Sequence, residues 1–121
     1  MTDLSDVPPA LRDAASAALE SAGVSDGHLS VELVDAARIT QLNRTHRDQD
    51  EPTDVLSFPI DGAGVVAGPR ELGDVVICPE HTSDLFEATV HGVLHLCGFD
   101  HETDSGEMLA LQDRVMEGLE A

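Results

Sequence analysis

The sequence predicts an α+β domain, a small mixed sheet with helices around it. Three observations predict this. Four segments carry apolar residues at helical spacing. Between them lie short runs of alternating or β-branched residues. One helical segment bears histidines in the pattern HxxxHxxxxxH, the arrangement of a zincin-like metal helix. At 121 residues the chain is expected to form one domain, residues 1–121, with a single core.

The first helix is predicted from Pro8 and Pro9 to Ala22, where Leu11, Ala15, Ala18, Leu19 and Ala22 recur on one face and Gly23 can stop it. Leu29, Val31 and Leu33 then alternate with Ser30 and Glu32, the period of a half-buried strand. Asp35 can cap a helix from Ala36 to about Thr45 that buries Ile39 and Leu42. Arg47 to Pro52 is polar and reads as a loop, and Thr53 to Phe58 as a short strand ended by Pro59.

Gly62, Gly64, Gly68 and Pro69 mark a turn-rich connection with a weak strand at Val65–Ala67. Val75, Val76 and Ile77 form a β-branched run suited to a strand buried on both faces. A helix is predicted from Ser83 to Cys97, capped by Thr82 or Ser83. Its core stripe is Phe86, Val90, Val93, Leu94 and Cys97. The last helix runs from about Asp104 to Leu119. Asp104 and Glu107 have capping-box spacing, and Met108, Leu111, Val115 and Leu119 face inward.

Charge narrows the function classes. Six Arg and no Lys face 24 acidic residues, for a net charge of −18 with His neutral. A broad basic surface for nucleic acid is excluded, so any action on nucleic acid must rest on a few local cations. No apolar run approaches the ~20 residues of a membrane span. The N-terminus lacks the basic start and apolar stretch of a signal peptide, so a cytoplasmic location is expected. Cys78 and Cys97 are too few for a disulfide scaffold and are expected to be reduced.

His91, His95 and His101 stand in the string HGVLHLCGFDH. His91 and His95, four apart, share one helix face, as two imidazoles on one metal ion require. Gly98 is placed to end the helix and let the chain bring His101 back to the same ion. Three imidazoles would leave the fourth position of a tetrahedral zinc open to water, the pattern of a catalytic site. Imidazole also suits nickel and copper. Cys97 would point away from the pair and reads as a small buried thiol. His28, in a predicted turn, His46 at a helix end and His81 before a helix have no spaced partner. The zinc peptidase pattern H-E-x-x-H-x-x-G-x-x-H matches at every His and at the Gly, but position 92 is Gly where those enzymes carry the Glu that acts as general base.

HGVLHLCGFDH resembles the motif of the YbeY family, bacterial ribosomal RNA maturation factors taken to be metal-dependent endoribonucleases. Two further segments resemble the family in the same order. One runs from Leu42-Asn43 through Arg47 to Glu51-Pro52-Thr53-Asp54-Val55-Leu56-Ser57-Phe58-Pro59, and the other is Leu72-Gly73-Asp74-Val75-Val76-Ile77-Cys78-Pro79. The resemblance covers roughly Leu29 to Leu119. It departs from the family in having only sixteen residues between Asp74 and His91, and in Phe99 where the family commonly has Tyr.

The resemblance implies an α+β fold around a cleft, one zinc per chain on His91, His95 and His101, and Arg47 as a catalytic cation in the cleft. It implies endonucleolytic cleavage of ribosomal RNA, at the 3′ end of the small-subunit rRNA, and a role in ribosome assembly alongside ribosomal proteins. With Gly at 92 the general base must come from elsewhere. Asp100 and Glu102, flanking His101, are candidates, and Asp100 can alternatively orient a ligand imidazole. Two other readings stand beside this one. The first is a non-catalytic assembly factor with a structural zinc, its acidic surface meeting basic proteins. The second is another zinc hydrolase.

Overall fold

The computed structural model describes residues 2–24, 27–60, 71–99 and 104–120. Its elements are β1 (Thr2–Asp6), α1 (Arg12–Ser21), β2 (Gly27–Leu33), α2 (Ala36–Arg47), β3 (Val55–Pro59), β4 (Glu71–Ile77), α3 (Leu85–Leu96) and α4 (Glu107–Glu120). Short 3-10 turns at Pro9–Leu11 and Pro79–His81 lead into α1 and toward α3. The weak strand expected at Val65–Ala67 lies outside the described residues.

The strands form one mixed sheet in the order β1-β2-β4-β3. β1, β2 and β4 run parallel, and β3 returns antiparallel on β4. The parallel pairs need crossovers. α1 carries the first, and the second contains α2 and β3.

Alternation along the strands sorts the core into two layers. Leu29, Val31, Val75 and Ile77 face a large cluster with Ala15, Ala18 and Leu19 of α1, Val90, Val93 and Leu94 of α3, and Met108 and Val115 of α4. Burying each Val or Leu of α3 contributes about 1.5–3 kcal/mol. Val76 and Leu56 face the other way, onto Ile39 of α2 and Cys78.

A bulge in β4 sets this alternation. The pairing jumps from His28↔Glu71 to Leu29↔Gly73, so Leu72 is the extra residue and joins the core face. Gly73 has φ +137°, and a Cβ there would strike the Phe58 carbonyl oxygen and Leu96 Cδ2. Only glycine meets both demands.

Several expectations need correction. β1 was not expected, because Thr2–Asp6 offers no apolar alternation. His28 is not in a turn: β2 begins at Gly27 and takes it in. α3 begins at Leu85, and its cap is Asp84, whose carboxylate accepts from the Phe86 and Glu87 N–H groups. Phe86 is not core but 49% exposed, because burial along α3 starts only at Ala88. Cys97 is only partly buried, while Cys78 is fully so. α4 starts at Glu107 rather than Asp104, yet Asp104 still accepts from the Gly106 and Met108 N–H groups and Glu107 from Ser105 N–H.

Candidate active site

Helix α3 lies across the sheet because one of its residues has no side chain. A Cβ at Gly92 would stand 2.5 Å from Val75 Cγ1 and 3.3 Å from Ser57 Oγ. The helix backbone therefore rests directly on β4 and β3, and the Ser57 hydroxyl donates to the Gly92 carbonyl at 3.1 Å. Position 92 thus faces the sheet. A glutamate there would meet Val75, so the peptidase-type base has no room in this packing.

His91 and His95 lie one turn apart on α3, partly buried, with Nε2 atoms 3.2 Å apart. Each ring is fixed through its other nitrogen. His91 Nδ1–H donates to Gln112 Oε1 at 2.8 Å, and His95 Nδ1–H donates to the Phe99 carbonyl at 2.9 Å. An amide or peptide oxygen cannot donate, so in its neutral form each ring carries its proton on Nδ1 and its lone pair on Nε2. Two lone pairs then converge on one point, an arrangement that suits a cation and that matches how metal-ligating histidines are held.

The sequence explains the second of these hydrogen bonds. α3 ends in a Schellman motif: Gly98 N–H donates to the His95 carbonyl at 3.0 Å and Phe99 N–H to Leu94 at 3.1 Å, with Gly98 at φ +99°. The same left-handed step that ends the helix brings the Phe99 carbonyl back over His95. His101, Asp100 and Glu102 lie outside the described residues. Among the described residues no third His, Cys, Asp or Glu completes a metal-holding group with the pair.

The pair opens into a cleft of about 730 Å³ whose lining includes Arg47, Asp54, Ser57, Asp84, Glu87 and Gln112. Arg47, the last residue of α2, is brought there from the far side of the sheet and is exposed. It makes no ion pair among the described residues. The neighbouring carboxylate Asp50 is taken by Arg44 at 2.6 Å. β3 contributes its alternate residues Val55, Ser57 and Pro59 to the cleft, while Leu56 and Phe58 pack toward α2. His28, His46 and His81 do not line it. His46 packs edge-on against Phe58, with ring centroids 4.8 Å apart.

Two cleft residues escaped sequence reasoning. Gln112 is buried on α4, and nothing in its sequence context connects it to His91. Glu87 lies four residues before His91, a spacing that was available as a signal. Of the described cleft carboxylates, Asp84 caps α3 and Asp54 accepts from Val55 N–H and Thr53 Oγ. The Glu87 side chain makes no hydrogen bond among the described residues.

Comparison with known proteins agrees with this fold. The family model described as Endoribonuclease YbeY matches residues 3–120. The chain belongs to the YbeY family. Endoribonuclease YbeY of Persephonella marina is 35% identical over 90% of this chain and 81% of its own length. Endoribonuclease YbeY of Azorhizobium caulinodans is 42% identical over 88% of this chain and 77% of its own. The solution structure of TM1509 from Thermotoga maritima superposes with a TM-score of 0.58 at 28% identity, covering 97% of this chain and 87% of that one. YbeY membership assigns the chain to a family of nucleases. No described helix is long and apolar enough to cross a membrane.

Proposed function

We propose that this chain is a zinc-dependent endoribonuclease of ribosomal RNA maturation, cutting at the 3′ end of the small-subunit rRNA during ribosome assembly in the cytoplasm. The observation that carries the reading is the convergence of the His91 and His95 Nε2 lone pairs, each ring locked by an N–H bond to a carbonyl oxygen, in a cleft that also holds Arg47. His91, His95 and His101 would hold one zinc ion per chain. Bound zinc supplies Lewis acidity toward a phosphoryl oxygen and eases ionisation of water.

The chain's own residues do the rest. Arg47 grips the scissile phosphate with its planar fork and neutralises charge that builds on the equatorial oxygens. Glu87 is the candidate general base, since the other described cleft carboxylates are engaged by backbone N–H groups. It takes the proton from the oxygen that attacks phosphorus, as the bond to the leaving oxygen breaks.

A peptidase reading is disfavoured, because Gly92 faces Val75 and cannot be exchanged for a base without loss of packing. The test is cleavage of precursor small-subunit rRNA by the zinc-loaded protein and by His95→Ala, with mapped product ends. The reading expects 3′-end cuts by the wild type and at least a hundredfold loss in the variant. Equal cleavage by both would remove the histidine pair from catalysis. No cleavage by a folded, zinc-loaded wild type would favour the non-catalytic assembly factor.

A further inference from the structure

Helix α2 departs from the charge of the whole molecule. It holds Arg38, Arg44 and Arg47, half of the chain's six arginines, and none of its 24 acidic residues. All three arginines are exposed, and so is His46. The helix is held from beneath by its apolar side, with Ile39 buried and Leu42 packed against the Val76–Leu56 layer. Its outer side is therefore free of core duties.

Three details orient this basic face. Arg38 and Arg47 are nine residues apart, about 13 Å of helix axis and half a turn around it, so they stand on opposite flanks of the exposed side with Arg44 between them, a span long enough for more than one phosphate. The last turn ends at the cleft, where Arg47 stands among the lining residues with His91 and His95. Asn43 Nδ2 donates to the Glu51 carbonyl at 2.9 Å and ties the loop after the helix to it, so the direction of α2 relative to the cleft is fixed. Arg38 donates to Gln41 and Arg44 to Asp50, but these are exposed pairs of small net worth that a phosphate can displace.

We infer that α2 is the docking rail for the RNA strand. The sugar–phosphate backbone crosses the exposed side of the helix obliquely, from Arg38 past Arg44, and enters the cleft at Arg47. The strongly acidic remainder of the surface repels RNA and so confines it to this one helix. The inference rests on the endoribonuclease reading and adds where the substrate lies outside the cleft.

The test is binding of a fluorescein-labelled, mixed-sequence single-stranded RNA, its intact length confirmed on a gel after each titration, followed by anisotropy across a salt series. Arg38→Gln, Arg44→Gln and, as a control on α4, Arg114→Gln are compared with the wild type, with folding checked by circular dichroism. The rail predicts that Arg38→Gln and Arg44→Gln each weaken binding severalfold at low salt. Each should also reduce the slope of log affinity against log salt by about 0.7, one phosphate contact on a single strand. Arg114→Gln should change neither.

Unchanged binding by the two α2 variants, or an equal loss in Arg114→Gln, would overturn the rail. If the wild type still cuts rRNA in that case, the endoribonuclease reading survives without it. A wild type that neither binds nor cuts RNA would overturn both. Tight binding of polyglutamate in place of RNA, lost in the α2 variants, would assign the helix to an acidic protein partner and overturn the RNA rail.

Discussion

The Gln112 amide oxygen accepts the Nδ1–H of His91 at 2.8 Å, so a residue of α4 sets which nitrogen of an α3 histidine faces the cleft. Replacing it with leucine leaves that N–H without its acceptor and frees the ring to turn. Gln112→Leu is expected to lower zinc affinity about 10–100-fold, the usual effect of removing a partner behind a ligand imidazole. Zinc titration against a competing chelator measures this. Unchanged affinity would mean that Gln112 plays no part in orienting the ring.

Gly92 sits where α3 touches β4. Alanine is the better helix former by about 1 kcal/mol. Here its methyl group would stand 2.5 Å from Val75 Cγ1 in a filled core. Overpacking of this kind typically costs about 1–3 kcal/mol. Gly92→Ala is therefore expected to be net destabilising in urea unfolding, and Gly92→Glu still more so. A stabilised Gly92→Ala would show that the contact relaxes at no cost.

On the far face of the sheet, His28 Nδ1 lies 2.7 Å from Glu71 and its Nε2 lies 2.7 Å from Asp6. Carboxylates only accept, so both ring nitrogens donate and the ring is imidazolium. Hydrogen bonds to Glu71 and then Asp6 raise its pKa to about 9 from an ordinary value near 6.5. A folded-state pKa raised in this way stabilises the fold fully below about pH 6.5, and the contribution is lost as pH rises through 9. With both carboxylates largely solvent-exposed, it is on the order of 1 kcal/mol. The stability difference between the wild type and His28→Gln should shrink over this range. A difference independent of pH would contradict the ion pairs.

Arg47 and Glu87 make separable demands on cleavage. Arg47→Lys keeps the charge and loses the fork, and a hydrogen bond to a charged group is worth about 1.5–3 kcal/mol, so kcat/KM should fall about tenfold or more. Glu87→Gln keeps the shape and loses the base, with an expected fall of about 10²–10⁴ in kcat. Steady-state cleavage of a short rRNA fragment measures both. Wild-type rates in Arg47→Lys would remove the two-pronged grip, and in Glu87→Gln the assignment of the base.

Periodicity made much of this legible. Ile39 and Leu42 marked the packed side of α2, and Val75 to Ile77 a strand buried on both faces. The i, i+4 spacing of His91 and His95 gave their shared face, and Gly98 the end of their helix. What escaped depends on tertiary partners. β1 takes its structure from pairing with β2, since TDLSD has no pattern of its own. Phe86 obeys the helical period but sits ahead of the point where α3 meets the core. Gln112 matters only because α4 packs beside α3. His28 looked like a turn residue because its carboxylate partners come from other strands, 22 and 43 residues away.

The proposed function turns on a metal on the α3 histidines that serves chemistry rather than folding. Zinc per chain, by elemental mass spectrometry on the wild type and on His95→Ala with circular dichroism on the same samples, tests it most directly. About one zinc is expected in the wild type, with its loss from a variant that stays folded, since a structural zinc supplies folding energy and a catalytic one need not. A wild type without stoichiometric metal after zinc is offered, or a variant that unfolds as it loses zinc, would contradict it.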